Sequence, residues 1–414
     1  MTTLDPRDPA SSFRHRIPGR RLLHSPGPTP IPDEVLWAMS RQPMDLADPR
    51  VDETIAACER GLKCLLGTAE GDVFLYISNG HGVWEAAVEN LLPHGGTALV
   101  PGTGHFSESW AVQTEKLGRR VVRTPWVEGL PIDEQAVVQA LERDTAHEIG
   151  AVFVVHTDTS SGVTTDLASL KRAIDATGHP ALFIVDVVAS LGAAPFSMDE
   201  LGADVVVGAS QKGLMCPPGV GILAVNARAM EVARLNPAPR YYWDIVRRKS
   251  ELSYMKFCGT APQTLIAGLE AALGLLFREG LDHVWARHRR HAQAVHAAVQ
   301  AWSREGALGF FAQRPESRSV SVTTVTVPAG TDVDRLRAIS REHYQVAFAG
   351  ALGPLQGRGF RIGHLGDQNP AGILGCLAAM EGALLALDIP FGRDGVAAAI
   401  ASLESAREGS APGA

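Results

Sequence analysis

Between residues 97 and 225 the chain repeats one pattern, a short Val- and Ile-rich run followed by a longer segment of helical periodicity. The runs are TALVPG (97–102), GAVFVVHTD (150–158), ALFIVDVVAS (181–190), ADVVVGAS (203–210) and GVGILAV (219–225). A run without polar alternation has no face to turn to water, so it must be covered on both sides. That is the situation of a strand in a parallel sheet flanked by helices. DEQAVVQALERD (133–144) and DLASLKRAIDATG (166–178) read as intervening helices, the second with Asp166 and Gly178 as its start and stop signals. The result is a βαβ series, and open sheets of this kind bind ligands beyond the carboxyl ends of their strands. GVGILAV follows its predecessor after a Gly/Pro loop too short for a crossover, so it is predicted to run antiparallel.

A long helical stretch, residues 262–302, is predicted to bend or break at Gly280. Beyond it, strand patterns at SVSVTTVTV (319–327), QVAFAG (345–350) and GFRIGH (359–364), with helices between and after, outline a second unit. The 414 residues, 45% hydrophobic, are enough to bury a large core. A net charge of -7 leaves no basic footprint for nucleic acid. The five cysteines, Cys58, Cys64, Cys216, Cys258 and Cys376, form no CxxC pair, which points to a reducing cytoplasm rather than a disulfide scaffold. Residues 1–23 hold no apolar run of signal-peptide length. The most apolar later stretches, 265–277 and 377–389, each carry a Glu and fall short of the ~20 residues a membrane span needs.

Lys212 directly follows the apolar run 203–210 and precedes a Gly/Pro turn. Burial there favours the neutral, nucleophilic amine that a Schiff-base lysine requires, whereas a lysine on a surface turn would stay charged. Asp186 closes the preceding run, FIVD, where a carboxylate needs a positive partner. The pyridinium nitrogen of pyridoxal phosphate is such a partner, and a capping Asp is the alternative. Asn79, Gly80, His81 and Gly82 lead from a strand into a helix, an arrangement that lets backbone N–H groups and a helix N-terminus meet a phosphate. No GxxxxGK[ST] occurs, and PGTGHFSES has Ser107 where a dinucleotide fingerprint needs its third Gly, so ATP and NAD are disfavoured. Phe106, in the Gly-rich turn after TALVPG, either stacks on the cofactor ring or lies under a loop. Thr159 or Ser160, at the end of the 150–158 run, can face the cofactor. Arg361, on a strand, suits either a substrate carboxylate or a structural ion pair. His288 and His291 sit among arginines on an amphipathic helix and read as a solvated or interface face, not as metal ligands.

Taken together, SPGPTPIP (25–32), SNGHGVWEAAVENLL (78–92), HTDTSSGV (156–163), the stretch 185–219 and FRIGHLGD (360–367) resemble the class V pyridoxal-phosphate-dependent aminotransferases. The likeness is nearest to the alanine–glyoxylate and serine–glyoxylate aminotransferases, runs through most of residues 23–390 and is densest at 181–220. It implies an α/β chain of PLP fold type I, with a large, mostly parallel sheet domain and a smaller α/β C-terminal domain. The implied division is an N-terminal extension over 1–22, poorly ordered or crossing to a partner; a large cofactor-binding domain over 23–285, its first segment helping the small domain; a small domain over 286–405; and a frayed tail over 406–414. It further implies a cytoplasmic homodimer with shared active sites, and transfer of an amino group from a small L-amino acid to glyoxylate or a similar 2-oxo acid.

By the same resemblance Lys212 carries the cofactor, Gln211 bonds its ring hydroxyl, and Asp186 holds the pyridine nitrogen with Val188 packed on the ring. Asn79, Gly80 and His81 form the phosphate loop, Thr159 lies beside the ring, and Phe106 stands where a stacking Trp is common. Thr260 reaches the phosphate from the partner subunit, and Arg361 binds the substrate carboxylate. Three departures from the pattern stand out: Phe257 replaces a Tyr, Phe106 a Trp, and Leu46 and Ala47 an aromatic–Arg pair near the substrate entrance. A lyase or desulfurase of the same fold is the rival reading, with Cys216 and Cys258 as candidate thiols, and a non-catalytic binding protein is a second.

Overall fold

A computed structural model describes residues 19–306 and 308–408 of the chain. Most of the expected N-terminal extension (1–18) and of the expected frayed tail (409–414) lies outside the described residues. The strands, in chain order, are β1 (Leu22–His24), β2 (Asp72–Ser78), β3 (Thr97–Val100), β4 (Arg120–Arg123), β5 (Ile149–Val155), β6 (Thr157–Asp158) and β7 (Val163–Thr164). They continue with β8 (Leu182–Asp186), β9 (Val205–Ala209), β10 (Gly219–Val225), β11 (Gly309–Phe310), β12 (Val322–Thr326), β13 (Val346–Gly350) and β14 (Gly359–Gly363).

Seven strands form the main sheet in the order β2-β10-β9-β8-β5-β3-β4. The pairs from β9 through β8, β5 and β3 to β4 are parallel, and β10 runs antiparallel to both β9 and β2, as its short connection predicts. Every residue of β8 and β9 is buried. In β5, Val152 and Val154 enter one apolar cluster while Ala151, Phe153 and Val155 enter another, so the sheet is covered on both faces. Period-two alternation therefore separates two cores rather than core from water. β4 carries Arg at both ends and sits at the sheet's edge, and its polarity hid it from the apolar pattern.

The predicted helices over 133–144 and 166–178 form at Glu134–Arg143 and Leu167–Ala176. The side chains of Asp133 and Asp166 accept hydrogen bonds from their first-turn N–H groups. The long stretch over 262–302 is two helices, Gln263–Glu279 and Leu281–Trp302, divided at Gly280, whose φ is +87°.

A second sheet, β1-β13-β14-β12-β11, lies over a third core cluster built from the Leu281–Trp302, Val333–His343 and Pro370–Ala386 helices. The N-terminal strand β1 pairs parallel to β13. β12 spans 322–326, shorter than the expected 319–327, because Ser319 accepts from the Ser321 N–H within the segment and the Ser321 hydroxyl donates to the distant Ala189 carbonyl. His288 and His291 correct the expectation of a solvated face: they are 0% and 2% exposed. Their helix is covered by the second unit, and His288 is satisfied as a neutral ring, its Nδ1 on the Val284 carbonyl and its Nε2 accepting from the Gly366 N–H. Among the described residues no helix is long and apolar enough to cross a membrane.

Candidate active site

The carboxyl ends of β8 and β9 and the N-terminus of the Gly80–Leu91 helix open onto one cavity of about 300 Å³, within the range of small-ligand sites. Its lining includes Asn79, Gly80, His81, Phe106, Thr159, Asp186, Val188, Gln211 and Lys212. Nine of the positions singled out in the sequence thus share one wall.

Lys212 lies three residues beyond the end of β9. Gly213 lets the backbone there touch the segment that follows Asp186, since a Cβ at Gly213 would come within 2.2 Å of the Leu191 carbonyl oxygen. The turn is tied further by the Thr29 hydroxyl on the Lys212 carbonyl (2.9 Å) and the Thr29 N–H on that of Gln211 (3.2 Å). Burial, with the Arg361 charge nearby, pulls the Lys212 amine down to about 8, against the opposing pull of Asp186 and Asp158. A neutral fraction of that amine is therefore present near neutral pH. Its Nζ donates to the Pro26 carbonyl.

Asp186 ends β8 with its carboxyl group buried, and desolvation pushes it up to about 6. Two donors resist that rise: the Val188 N–H on Oδ1 at 2.6 Å and the Trp84 indole N–H on Oδ2 at 2.8 Å. Beside it, Gln211 Oε1 is a buried acceptor with no partner among the described residues. Such an orphan costs free energy unless a ligand donor meets it.

Asn79 caps the Gly80–Leu91 helix, accepting from the Gly82 N–H at 3.3 Å, and no acidic residue occupies the first turn. The dipole there is free to favour an anion. Gly80 allows close packing on Val188, whose Cγ2 lies 3.2 Å from where a Cβ would be. Phe106 corrects the expectation of a turn residue. It stands in the first turn of the helix His105–Lys116 and meets Trp84 edge-on at 6.4 Å between ring centres.

Arg361 does not line the cavity. It is buried on β14 behind Thr159, whose carbonyl accepts from its Nη1 at 3.1 Å, and burial lowers its guanidinium to about 10. Among the described residues no carboxylate pairs with it; its second bond runs from Nε to the Gly350 carbonyl at 2.7 Å. Thr260 is exposed and outside the cavity of its own chain, and Phe257 is buried. Leu46 and Ala47 are exposed and equally remote from it.

Two residues that the sequence did not assign belong to this site. Trp84 lines the cavity and bonds Asp186. Asp158, fully buried, accepts from the Phe106 N–H at 2.8 Å through Oδ2 and from the Ser160 N–H at 2.9 Å through Oδ1. The signal for Asp158 was available: like Asp186, it is a buried carboxylate close after an apolar run, with only His156 and Thr157 between it and Val155.

No cysteine lines the cavity. Cys216 is buried against Gly268, and desolvation pushes its thiol up to about 12, so it cannot swing out as a reactive thiolate.

A family model described as aminotransferase class-V matches residues 21–347. The chain is a class-V aminotransferase. It is 39% identical to the L-aspartate–glyoxylate aminotransferase of Paracoccus denitrificans, over 90% of this chain and 94% of that one. It is 37% identical to the serine–glyoxylate aminotransferase of Methylorubrum extorquens, over 89% and 92% of the two chains. The crystal structure of ureidoglycine–glyoxylate aminotransferase from Bacillus subtilis superposes with a TM-score of 0.85 at 26% identity, covering 94% of this chain and all of that one. The class-V aminotransferase fold is thus the PLP fold type I arrangement anticipated from the motifs, and the family implies pyridoxal phosphate as the cofactor.

Proposed function

We propose that this class-V aminotransferase binds pyridoxal 5'-phosphate in the 300 Å³ cavity and moves an amino group from a small L-amino acid, serine- or alanine-like, to glyoxylate or a similar 2-oxo acid. The observation that carries the reading is the pairing, across one cavity, of an amine lowered to about 8 with a buried carboxyl group that has two N–H donors and no bonded cation. The donor set fits the cofactor group by group. The helix N-terminus at Asn79–His81 suits a phosphate, the unpartnered Gln211 oxygen suits a ring hydroxyl, and Asp186 suits a protonated ring nitrogen. Val188 and Phe106 supply apolar walls for the ring.

When bound, the cofactor supplies an aldehyde for the lysine and a ring that takes up the electron pair left on the substrate carbon. The protein's own groups do the rest. Lys212 Nζ would accept the proton from the substrate α-carbon and hold it for return, a role that its lowered basicity suits. Asp186 keeps a proton on the ring nitrogen, and Arg361 holds the carboxylate of each substrate in turn. The two half-reactions share one site, so the kinetics are ping-pong. Serine–glyoxylate and aspartate–glyoxylate relatives at this level of identity support glyoxylate as acceptor. The exposed Thr260 agrees with a threonine that reaches a partner's phosphate in a homodimer, and we place the enzyme in the cytoplasm.

The purified protein should absorb in the visible, and an amino acid alone should convert the cofactor to pyridoxamine phosphate. Steady-state assays of serine, alanine and aspartate against glyoxylate, pyruvate and 2-oxoglutarate then fix the pair. Lys212→Ala should lose both the absorbance and turnover, and multiple turnovers by that variant without added amine would sink the reading. Release of ammonia or sulfur, with no pyridoxamine phosphate, would favour a lyase or desulfurase.

A further inference from the structure

Two indoles stack behind the cavity, Trp84 on Trp110 with ring centres 5.3 Å apart and planes 9° apart, and Trp110 in turn on Phe153 at 4.5 Å and 8°. Their N–H groups have different fates. That of Trp84 donates to Asp186 Oδ2 at 2.8 Å, whereas that of Trp110 is buried without a partner among the described residues. The column holds the Trp84 ring against rotation, so its donor is fixed relative to the end of β8. An indole N–H can only donate. Together with the Val188 N–H on the other oxygen, it occupies one lone pair on each side of the carboxylate and restricts where a proton can sit. The other charged groups that act on Asp186 are Lys212 and Asp158, both at neighbouring strand ends. Among the described residues no cation bonds the carboxylate, so its orientation and its ionised form depend on these two neutral donors.

We propose that Trp84 is a positioning residue for Asp186, its indole N–H aiming the carboxylate and holding it ionised for the nitrogen of the cofactor ring; this rests on the cofactor reading of Asp186 given above. Donors to charged groups are worth more than neutral ones, and at a buried carboxylate the loss is felt in full.

The test is the dissociation constant of pyridoxal phosphate for the full-length apoprotein, titrated over a range of pH. Trp84→Phe keeps the stack and removes the donor. It should weaken binding on the order of tenfold and move the acid-side loss of binding to higher pH, because only the ionised carboxylate loses its donor. In an Asp186→Asn background the same exchange should change the constant by less than about twofold. Trp110→Phe, which removes an unpartnered donor from the same column, should leave the constant and its pH dependence as in the parent. Trp84→Tyr serves in place of Trp84→Phe if the latter does not fold. A Trp84 penalty that is the same with and without the Asp186 carboxylate, at an unmoved pH midpoint, overturns the proposal and leaves Trp84 as packing alone. Should Asp186→Asn bind the cofactor as tightly as the parent at every pH, the role of Asp186 falls first, and that of Trp84 with it.

Discussion

Arg361 and Thr159 tie the second sheet to the loop just past β6: Nη1 of the arginine, on β14, donates to the threonine carbonyl at 3.1 Å. The guanidinium is also held by the Gly350 carbonyl through Nε, while Nη2 makes no hydrogen bond among the described residues. A planar fork fixed on two sides with a free third nitrogen is prepared for a carboxylate. Arg361→Ala should raise KM for both the amino acid and the 2-oxo acid by about 10- to 100-fold, as expected for losing charge-assisted bonds made to both substrates. Arg361→Lys cannot reproduce the fork and should recover only part of this. Equal KM values in parent and Ala variant, with reduced melting temperature alone, would make the residue purely structural.

Gly27 lies directly over Lys212. A Cβ there would come within 2.5 Å of both Cε and Nζ, and the residue's φ of +133° is one that side chains rarely adopt. Gly27→Ala should therefore cost on the order of 1–3 kcal/mol of stability from the backbone alone. It should also lower the fraction of enzyme that takes up cofactor, because the lysine must leave its position. Visible absorbance per chain, compared with the unfolding midpoint, separates the two effects. Full cofactor content in a protein that is merely less stable would show that the lysine tolerates the displacement.

The main sheet was legible because its strands are apolar on both faces, and Lys212 and Asp186 were legible because charge directly after such a run has to be explained. What stayed hidden depended on contacts distant in sequence. Trp84 lies 102 positions before the carboxylate it bonds, and nothing in its own helix marks the indole as a donor. His288 and His291 look solvated beside Arg287, Arg289 and Arg290, yet the surface they face is built some eighty residues later around Gly366. Arg289 is exposed, and Arg287 sits at the rim of that surface between Glu279 and the Gly366 carbonyl, so local composition described one face of the helix and burial decided the other. Phe106 was assigned to a turn because Gly102 and Gly104 precede it. The buried carboxylate of Asp158, accepting from the N–H groups of Phe106 and Ser107, starts the helix there instead.

That capping carboxylate gives a third prediction. Asp158 Oδ2 serves the first turn of the His105–Lys116 helix while Oδ1 serves the N–H and hydroxyl of Ser160. An asparagine can accept through only one of its two positions, so Asp158→Asn must set an NH₂ group against protein donors on one side. A loss of about 2 kcal/mol is expected, together with a displaced Phe106 and weaker cofactor binding. Chemical denaturation and cofactor titration read the two consequences. An unchanged denaturation midpoint would mean that the cap contributes nothing net.

The seam between the Leu281–Trp302 helix and the smaller sheet carries four buried histidines, His24, His288, His291 and His364, and the half-buried His296, and these set how the enzyme responds to acid. Burial lowers His24, His288 and His296 to about 4 and His291 to about 3, and it holds His364 well below its ordinary range. Arg287 acts in the same direction on His288 and His291, and Arg318 on His296, while Glu279 opposes the shift on His291. In the unfolded chain each ring titrates near 6.5. Between that value and about 4 the unfolded state therefore binds more protons than the folded one, so stability is complete above about pH 6.5 and declines as the pH falls through this window. A single ring whose pKa drops from 6.5 to about 4 accounts for on the order of 3 kcal/mol across it, a large share of a typical folding free energy. Asp186, raised to about 6, works in the opposite sense in the cofactor-free protein, but it is one group against five. The urea midpoint of the parent should thus fall steeply between about pH 6.5 and 4.5, and that of His288→Gln should fall less steeply even if it starts lower. Parallel profiles for the two proteins would mean that His288 is already charged in the folded state, against its acceptance of the Gly366 N–H at 3.0 Å.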